Sequence, residues 1–185
     1  MAFADLFRRS NPHKDAAALL YGRVVEKARD PLFYTDLAVP DTVDGRFDMM
    51  VIHTMLVLRR LRGGGRPADK TGKALLELLF TDMDQSLREM GVGDMGVGRH
   101  IKRMAKAMFG RAEAYEVGLD GGDAVILAQA LKDNLYRQST PAEDVVKRMA
   151  DYLRRAAGDV QNESVADILV GRLNLVAPVL AKDPQ

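Results

Sequence analysis

Apolar positions recur along this chain at helical spacing almost throughout, and no stretch shows the strict alternation of a half-buried strand. A first helix is expected over about residues 14–29, with Leu19, Leu20, Val24 and Val25 facing inward. Asp30-Pro31 stops it, because the residue before a proline is driven out of the α region. The segment LFYTDLAVPDT then reads as a loop whose aromatic side chains pack onto the body, and Asp41 or Thr42 near its end can cap a second helix reaching to about Arg62. Within that helix the run MMVIHTMLVL (49–58) is apolar all round, so more than one face must be covered. The run is too short for a bilayer, which needs roughly 20 such residues, and a buried central helix is the expected role. GGGRP after it reads as a mobile basic turn.

A third helix is expected over about 68–90, where Leu75, Leu79, Met83 and Leu87 follow at i+4. Beyond a joint punctuated by Gly91, Gly93, Gly96 and Gly98, a fourth runs to about Val117 and buries Ile101, Met104, Met108 and Tyr115. GLDGGD turns the chain into a fifth over about 123–136. Ser139-Thr140-Pro141 offers a cap and a proline at the first helical position of a sixth, with Val145, Met149 and Tyr152 on its inner side. A short helix over about 164–173 ends the series. The pattern predicts an all-α protein, a single compact bundle of six to seven helices over 14–178, with a flexible segment at 1–13 and a tail at 179–185.

Composition changes this picture little. A chain of 185 residues with 47% hydrophobic and 29% charged residues fits one ordinary globular domain. The formal net charge of +1 gives no global field that would recommend nucleic acid as a partner. Charge is uneven, however. Arg99, Lys102, Arg103, Lys106 and Arg111 stand without an acid among residues 99–111, and Arg59, Arg60, Arg62, Arg66, Lys70 and Lys73 face only Asp69 among residues 59–73. Such clusters suit an acidic partner or an anionic lipid surface. The absence of cysteine excludes a disulfide framework, a thiolate metal site and a cysteine nucleophile. MAFADLFRR at the start contains an acid and lacks a continuous apolar core, so it is not read as a signal peptide; Phe3, Leu6 and Phe7 share a helical face there, and a frayed terminus is the expectation. The expected location is the cytoplasm, with peripheral attachment at the inner face of a bacterial inner membrane as its variant.

The residues with chemical potential do not assemble into a reactive centre. Asp82 and Asp84 look like half of a carboxylate metal motif, but side chains two apart on a helix diverge by about 160°, whereas two ligands to one ion need i, i+3 or i, i+4 spacing. His53 has no H-E-x-x-H or H-x-x-x-H companion and His100 opens a basic helix, so both are expected to be hydrogen-bonded structural histidines. GVGDMGVG follows a helix rather than a strand and lacks the P-loop order, which leaves a helix C-cap and tight turn, with Asp94 as a turn or capping residue. Neither a metal nor a cofactor is expected.

Two features remain that suit a surface. Arg99, Lys102, Arg103 and Lys106 follow i, i+3, i+4, i+7 spacing and so occupy one face, without the interleaved acids of an ordinary solubilising surface. Stacking aromatics for nucleic acid are missing there apart from Phe109 and Tyr115. Ten methionines, most of them in the middle of the chain, suit irregular core filling, with Met90 and Met95 beside the glycine joint as candidates for an adaptable exposed patch.

The ordered series DGRFD, then FTDMDQSLREMGVGD, then a basic helix ending in FGR resembles the ubiquinol–cytochrome c chaperone family over roughly residues 34–136. The resemblance implies an α-helical assembly factor for the cytochrome bc1 complex, one that binds newly made cytochrome b, and it implies no catalytic residues. Mitochondrial members act beside a small partner near the ribosomal exit site; this chain looks like a bacterial relative. The candidate client surface comprises Phe80, Asp82, Met83, Asp84, Glu89, Met90, Val92, Asp94, Met95, Arg99, Lys102, Arg103 and Lys106. The expected partner is nascent cytochrome b, with an anionic membrane surface as a second contact. A competing reading is a module that binds lipid or an isoprenoid between the second, third and fourth helices.

Overall fold

A computed structural model describes residues 11–89, 91 and 94–178, with all of their side chains except those of 94–97 and 100. Every regular element among these residues is a helix: α1 Pro12–Ala28, α2 Leu32–Thr35, α3 Val43–Leu61, α4 Gly65–Glu89, α5 Asp94–Asp120, α6 Ala124–Asn134, α7 Glu143–Asn162 and α8 Val165–Ile168. The all-α expectation holds.

Helix α3 is the axis of the molecule. It packs against α1, α4, α5 and α7, while α1 also lies on α4, and α6 bridges α5 and α7. All residues from Val51 to Val57 are buried, as an apolar run without a polar face requires. Thr42 rather than Asp41 caps it, its hydroxyl accepting from the Gly45 N–H at 3.1 Å. Gly45 is set by the loop before it: a Cβ there would lie 2.0 Å from the Pro40 carbonyl oxygen, so only glycine lets that loop close over the first turn. Asp123 caps α6 in the same way, accepting from the Val125 N–H at 2.8 Å.

Several local expectations are corrected. Leu19 is 58% exposed, because the buried stripe of α1 runs through Ala16, Ala17, Leu20, Val24 and Ala28, and Leu19 stands about 100° from Leu20. Val25 is half-buried. The GGGRP turn is shorter than expected: α4 already begins at Gly65 and takes Pro67 into its first turn, where a missing N–H costs nothing. Helix α7 starts at Glu143 behind Ala142 with no side-chain cap, and Glu143 and Asp144 in its first turn meet the positive end of the helix dipole instead. Its inner residue is Val146, not Val145. The last helix covers only Val165–Ile168; Gly171 takes φ +80°, and the chain then runs irregularly with Leu173 and Leu175 buried in alternation.

Two apolar clusters result. The larger joins α1, α3, α6 and α7. Inside it His53 is fully buried; its Nδ1–H donates to the Met49 carbonyl at 2.7 Å, which leaves Nε2 to accept from the Tyr152 hydroxyl at 2.6 Å. The expected structural histidine is thus observed there, with Phe33 edge-on to Tyr152 at 4.9 Å. The smaller cluster, Phe47, Val51, Leu79, Met83 and Met108, lies between α3, α4 and α5, with Met50, Phe80, Ile101 and Met104 packed half-buried against it.

Candidate functional site

Above the smaller cluster the three helices splay apart and leave a groove of about 610 Å³. Its apolar lining comes from Phe47 and Met50 on α3, Met83 and Leu87 on α4, and Met104 and Ala107 on α5. Met83 and Leu87 are one helical turn apart, as are Arg103 and Ala107, so each helix offers one continuous strip to the groove. Three thioethers in that lining give a floor that can adjust to the shape lying on it.

The rim is charged. Arg29, Arg46, Arg103, Arg111 and Arg137 line the groove together with Asp44 and Asp82. A third acid, Asp48, sits behind them with 1% exposure and receives Arg111 on one carboxylate oxygen and Arg137 on the other. Burial lifts the Asp48 carboxyl above its ordinary range, and the two guanidiniums pull it back. Burial draws the Arg137 guanidinium down, but its bonds to Asp48 and Asp44 outweigh that and hold it above its usual value. Arg46 is paired with Asp41 at 2.6 Å and stands over the Tyr34 ring at 5.6 Å. Asp82 accepts from the Tyr21 hydroxyl at 2.7 Å, which ties α4 to α1 at the groove's edge.

The structure brings Asp82, Met83 and Arg103 together on this groove and places other candidates elsewhere. Phe80 is half-buried against the smaller cluster. Asp84 turns away to Arg88 at 2.6 Å and Glu89 accepts from Gln85 at 2.9 Å, so Asp82 and Asp84 diverge as helix geometry requires. Arg99, Lys102, Arg103 and Lys106 are all exposed on α5. Met90 and Val92 lie outside the described residues, as do the side chains of Asp94, Met95 and His100. Among the described residues no cluster of three or more metal-ligating side chains occurs.

Sequence reasoning missed Arg29, Arg46, Asp48, Arg111 and Arg137 as parts of one site. A signal was present for two of them. Asp48 directly precedes the all-round apolar run of α3, where an acid demands a buried partner, and the DGRFD segment that carries it meets the FGR segment through the Asp48–Arg111 pair.

The description ubiquinol–cytochrome C chaperone matches residues 35–176, most of the chain and both segments that meet at the groove. The chain belongs to the ubiquinol–cytochrome c chaperone family. Ubiquinol–cytochrome c reductase complex assembly factor 1 of Xenopus laevis is 23% identical over 172 residues, covering 93% of this chain and 86% of that protein. The Homo sapiens protein of the same name is also 23% identical over 172 residues, but the chain spans only 57% of its length. The crystal structure of the Cbp3 homolog from Brucella abortus superposes with a TM-score of 0.81 at 29% identity, over 89% of this chain and 91% of that one. Membership in this chaperone family agrees with the resemblance carried by the DGRFD and FGR segments, and it extends past them through α7 and α8.

Proposed function

We propose that this chain is a non-catalytic assembly factor for the ubiquinol–cytochrome c reductase (bc1) complex, acting by holding newly made cytochrome b. The family and the names of the relatives support the complex. The observation that carries the holding role is the methionine-lined groove beside an α5 face whose Arg99, Lys102, Arg103 and Lys106 are all exposed. An unfinished membrane polypeptide needs apolar cover of adjustable shape and electrostatic guidance on approach, and this arrangement offers both. In this reading Phe80 and Met83, with Met90, Val92 and Met95, belong to the apolar side of the contact, while Asp82, Asp84, Glu89 and Asp94 meet basic loops of the client. No helix among the described residues is long and apolar enough to cross a membrane, and the proposed place of action is the cytoplasm or the inner face of the inner membrane.

Deletion of the gene is expected to lower both cytochrome b accumulation and assembled bc1 complex in membranes; normal levels of both would defeat the assignment. A finer test replaces Arg99, Lys102 and Lys106 together by Glu in the purified protein. Three exposed charges reversed should weaken capture of nascent cytochrome b by at least about tenfold at low salt and flatten its salt dependence, because long-range guidance by surface charge is screened within about 10 Å at 0.1 M ionic strength. Unchanged affinity and unchanged salt dependence would remove this face of α5 from the contact.

A further inference from the structure

Helix α5 is the longest described helix, at 27 residues, and it keeps one stripe in solvent along its described length. The first half of that stripe carries Arg99, Lys102 and Lys106, the second half Glu113, Val117 and Asp120, and Phe109 and Gly110 stand at its middle; every one of them is exposed. At 100° per residue they all fall within an arc of about 100°. Charge along the stripe is lopsided, with cations in one half and acids in the other. Two large apolar side chains are left in water there, Phe109 at 54% exposure and Val117 at 55%. The two halves cannot neutralise each other within one helix, because Lys106 and Glu113 stand about 10 Å apart along its axis.

A second copy of the stripe, laid antiparallel, reverses the order of charge and so complements it. With Phe109 of each copy set over Gly110 of the other, Lys106 falls opposite Glu113, Lys102 opposite Val117 and Arg99 opposite Asp120, all in one register. Gly110 leaves room for the ring: a Cβ there would meet nothing within 4 Å, and without one the position is a notch in the helix surface. The methylene stem of Lys102 can cover Val117 while its ammonium stays wet. Asp120 already holds Arg59 yet remains 61% exposed, so Arg99 joins a pair that exists. Parallel alignment would instead set cations on cations and acids on acids. We propose that this face of α5 is the contact of a two-fold homodimer, α5 lying antiparallel on α5 of a second copy. Contact over the roughly 31 Å from Arg99 to Asp120 buries on the order of 1,000 Å² over both copies, the lower edge of specific interfaces. The dimer is therefore weak, with a dissociation constant on the order of 10 µM, and sensitive to salt. It covers cations that the assembly reading gives to the client, so on that reading client and second copy exclude one another; the pairing itself stands on α5 alone.

Sedimentation equilibrium of the full chain reads the pairing without any client. At low salt the native chain is expected to pass from monomer to dimer between about 1 and 100 µM, and about 0.5 M salt should weaken the dimer about tenfold. Lys106→Glu and Glu113→Lys, both at exposed positions, each disrupt two contacts, since the two-fold repeats every pair; each should weaken the dimer by about tenfold or more. The variant carrying both changes rebuilds the pairs with reversed polarity and should return to within about threefold of native. Gly110→Gln raises helix propensity at an open position, so it should leave the thermal midpoint no lower while weakening the dimer by filling the notch. A chain still monomeric at about 300 µM in low salt, a dimer indifferent to the single reversals, or one that the combined variant does not restore would each overturn the contact. Each of these results leaves the assembly reading intact, since gene deletion tests that separately.

Discussion

Asp48→Ala is expected to destabilise the fold by about 3–5 kcal/mol, more than any other single charge removal among the described residues. The carboxylate has 1% exposure, and Arg111 and Arg137, at 14% and 26%, converge on its two oxygens. Removing it leaves two like charges facing one another in a half-buried wall, each stripped of part of its hydration and neither with an equivalent partner. Asp44 cannot take over: it is 59% exposed and 3.4 Å from Arg137 alone. Asp48→Asn is expected to lose nearly as much, because a neutral amide keeps the volume but not the charge. Urea unfolding reads this as a lowered midpoint with little change in slope. Removing both the acid and one guanidinium, as Asp48→Leu with Arg111→Met, should recover a large part of the loss, since breaking a buried pair costs more than replacing it by apolar groups. The exposed pair Arg23–Glu26, at 58% and 71% exposure, supplies the contrast, and Glu26→Ala should leave the midpoint where it was. A midpoint equally unmoved in Asp48→Ala would mean that the clamp does not form.

The clamp also marks where the sequence stops being legible. Helix order, the central place of α3 and its Thr42 cap follow from local chemistry: the apolar period, Thr42 before a helical run, and Pro31 after one. The basic face of α5 is legible for the same reason, since its spacing is that of one helix. What assembles the groove is long-range. Arg111 lies 63 positions from Asp48 and Arg137 lies 89, and no periodicity connects them. Asp82, placed by the sequence on the candidate client surface, accepts from Tyr21, 61 positions away. Local signals also mislead where tertiary packing outweighs them. Pro141 invites a helix start, yet α7 begins two residues later; residues 164–173 read as helical, yet α8 ends at Ile168, Gly171 turns the chain, and Leu173 and Leu175 reach the core from irregular backbone.

His53 supplies the second large expected effect, and its sign can be worked out from its surroundings. Burial lowers the imidazole from its ordinary 6.5 to about 4, outweighing the opposing bond to the Met49 carbonyl. Lys27 and Asp30, paired at 3.2 Å, act on it in opposite directions, Lys27 lowering it and Asp30 raising it. The folded protein therefore holds His53 neutral where the unfolded chain protonates it. Its contribution to stability is complete above pH 6.5 and is lost as the pH falls from 6.5 toward about 4, amounting to about 3 kcal/mol by linkage. The paired carboxylates Asp41 and Asp120 are held below 3.8 and so lose their contributions at lower pH, outside this window. Unfolding midpoints measured between pH 7.5 and 4.5 should stay level down to about pH 6.5 and then fall in the native protein. In His53→Phe the slope over that interval should flatten, although the midpoint at pH 7.5 drops, since the Tyr152 hydroxyl loses its acceptor in a buried place. Tyr152→Phe separates the two effects: it removes the hydrogen bond but keeps the buried imidazole, so it should lower stability at every pH while preserving the acid slope. A native protein whose stability is level from pH 7.5 to 4.5 would mean that His53 reaches water, and that the seam between α3 and α7 opens far more readily than its packing implies.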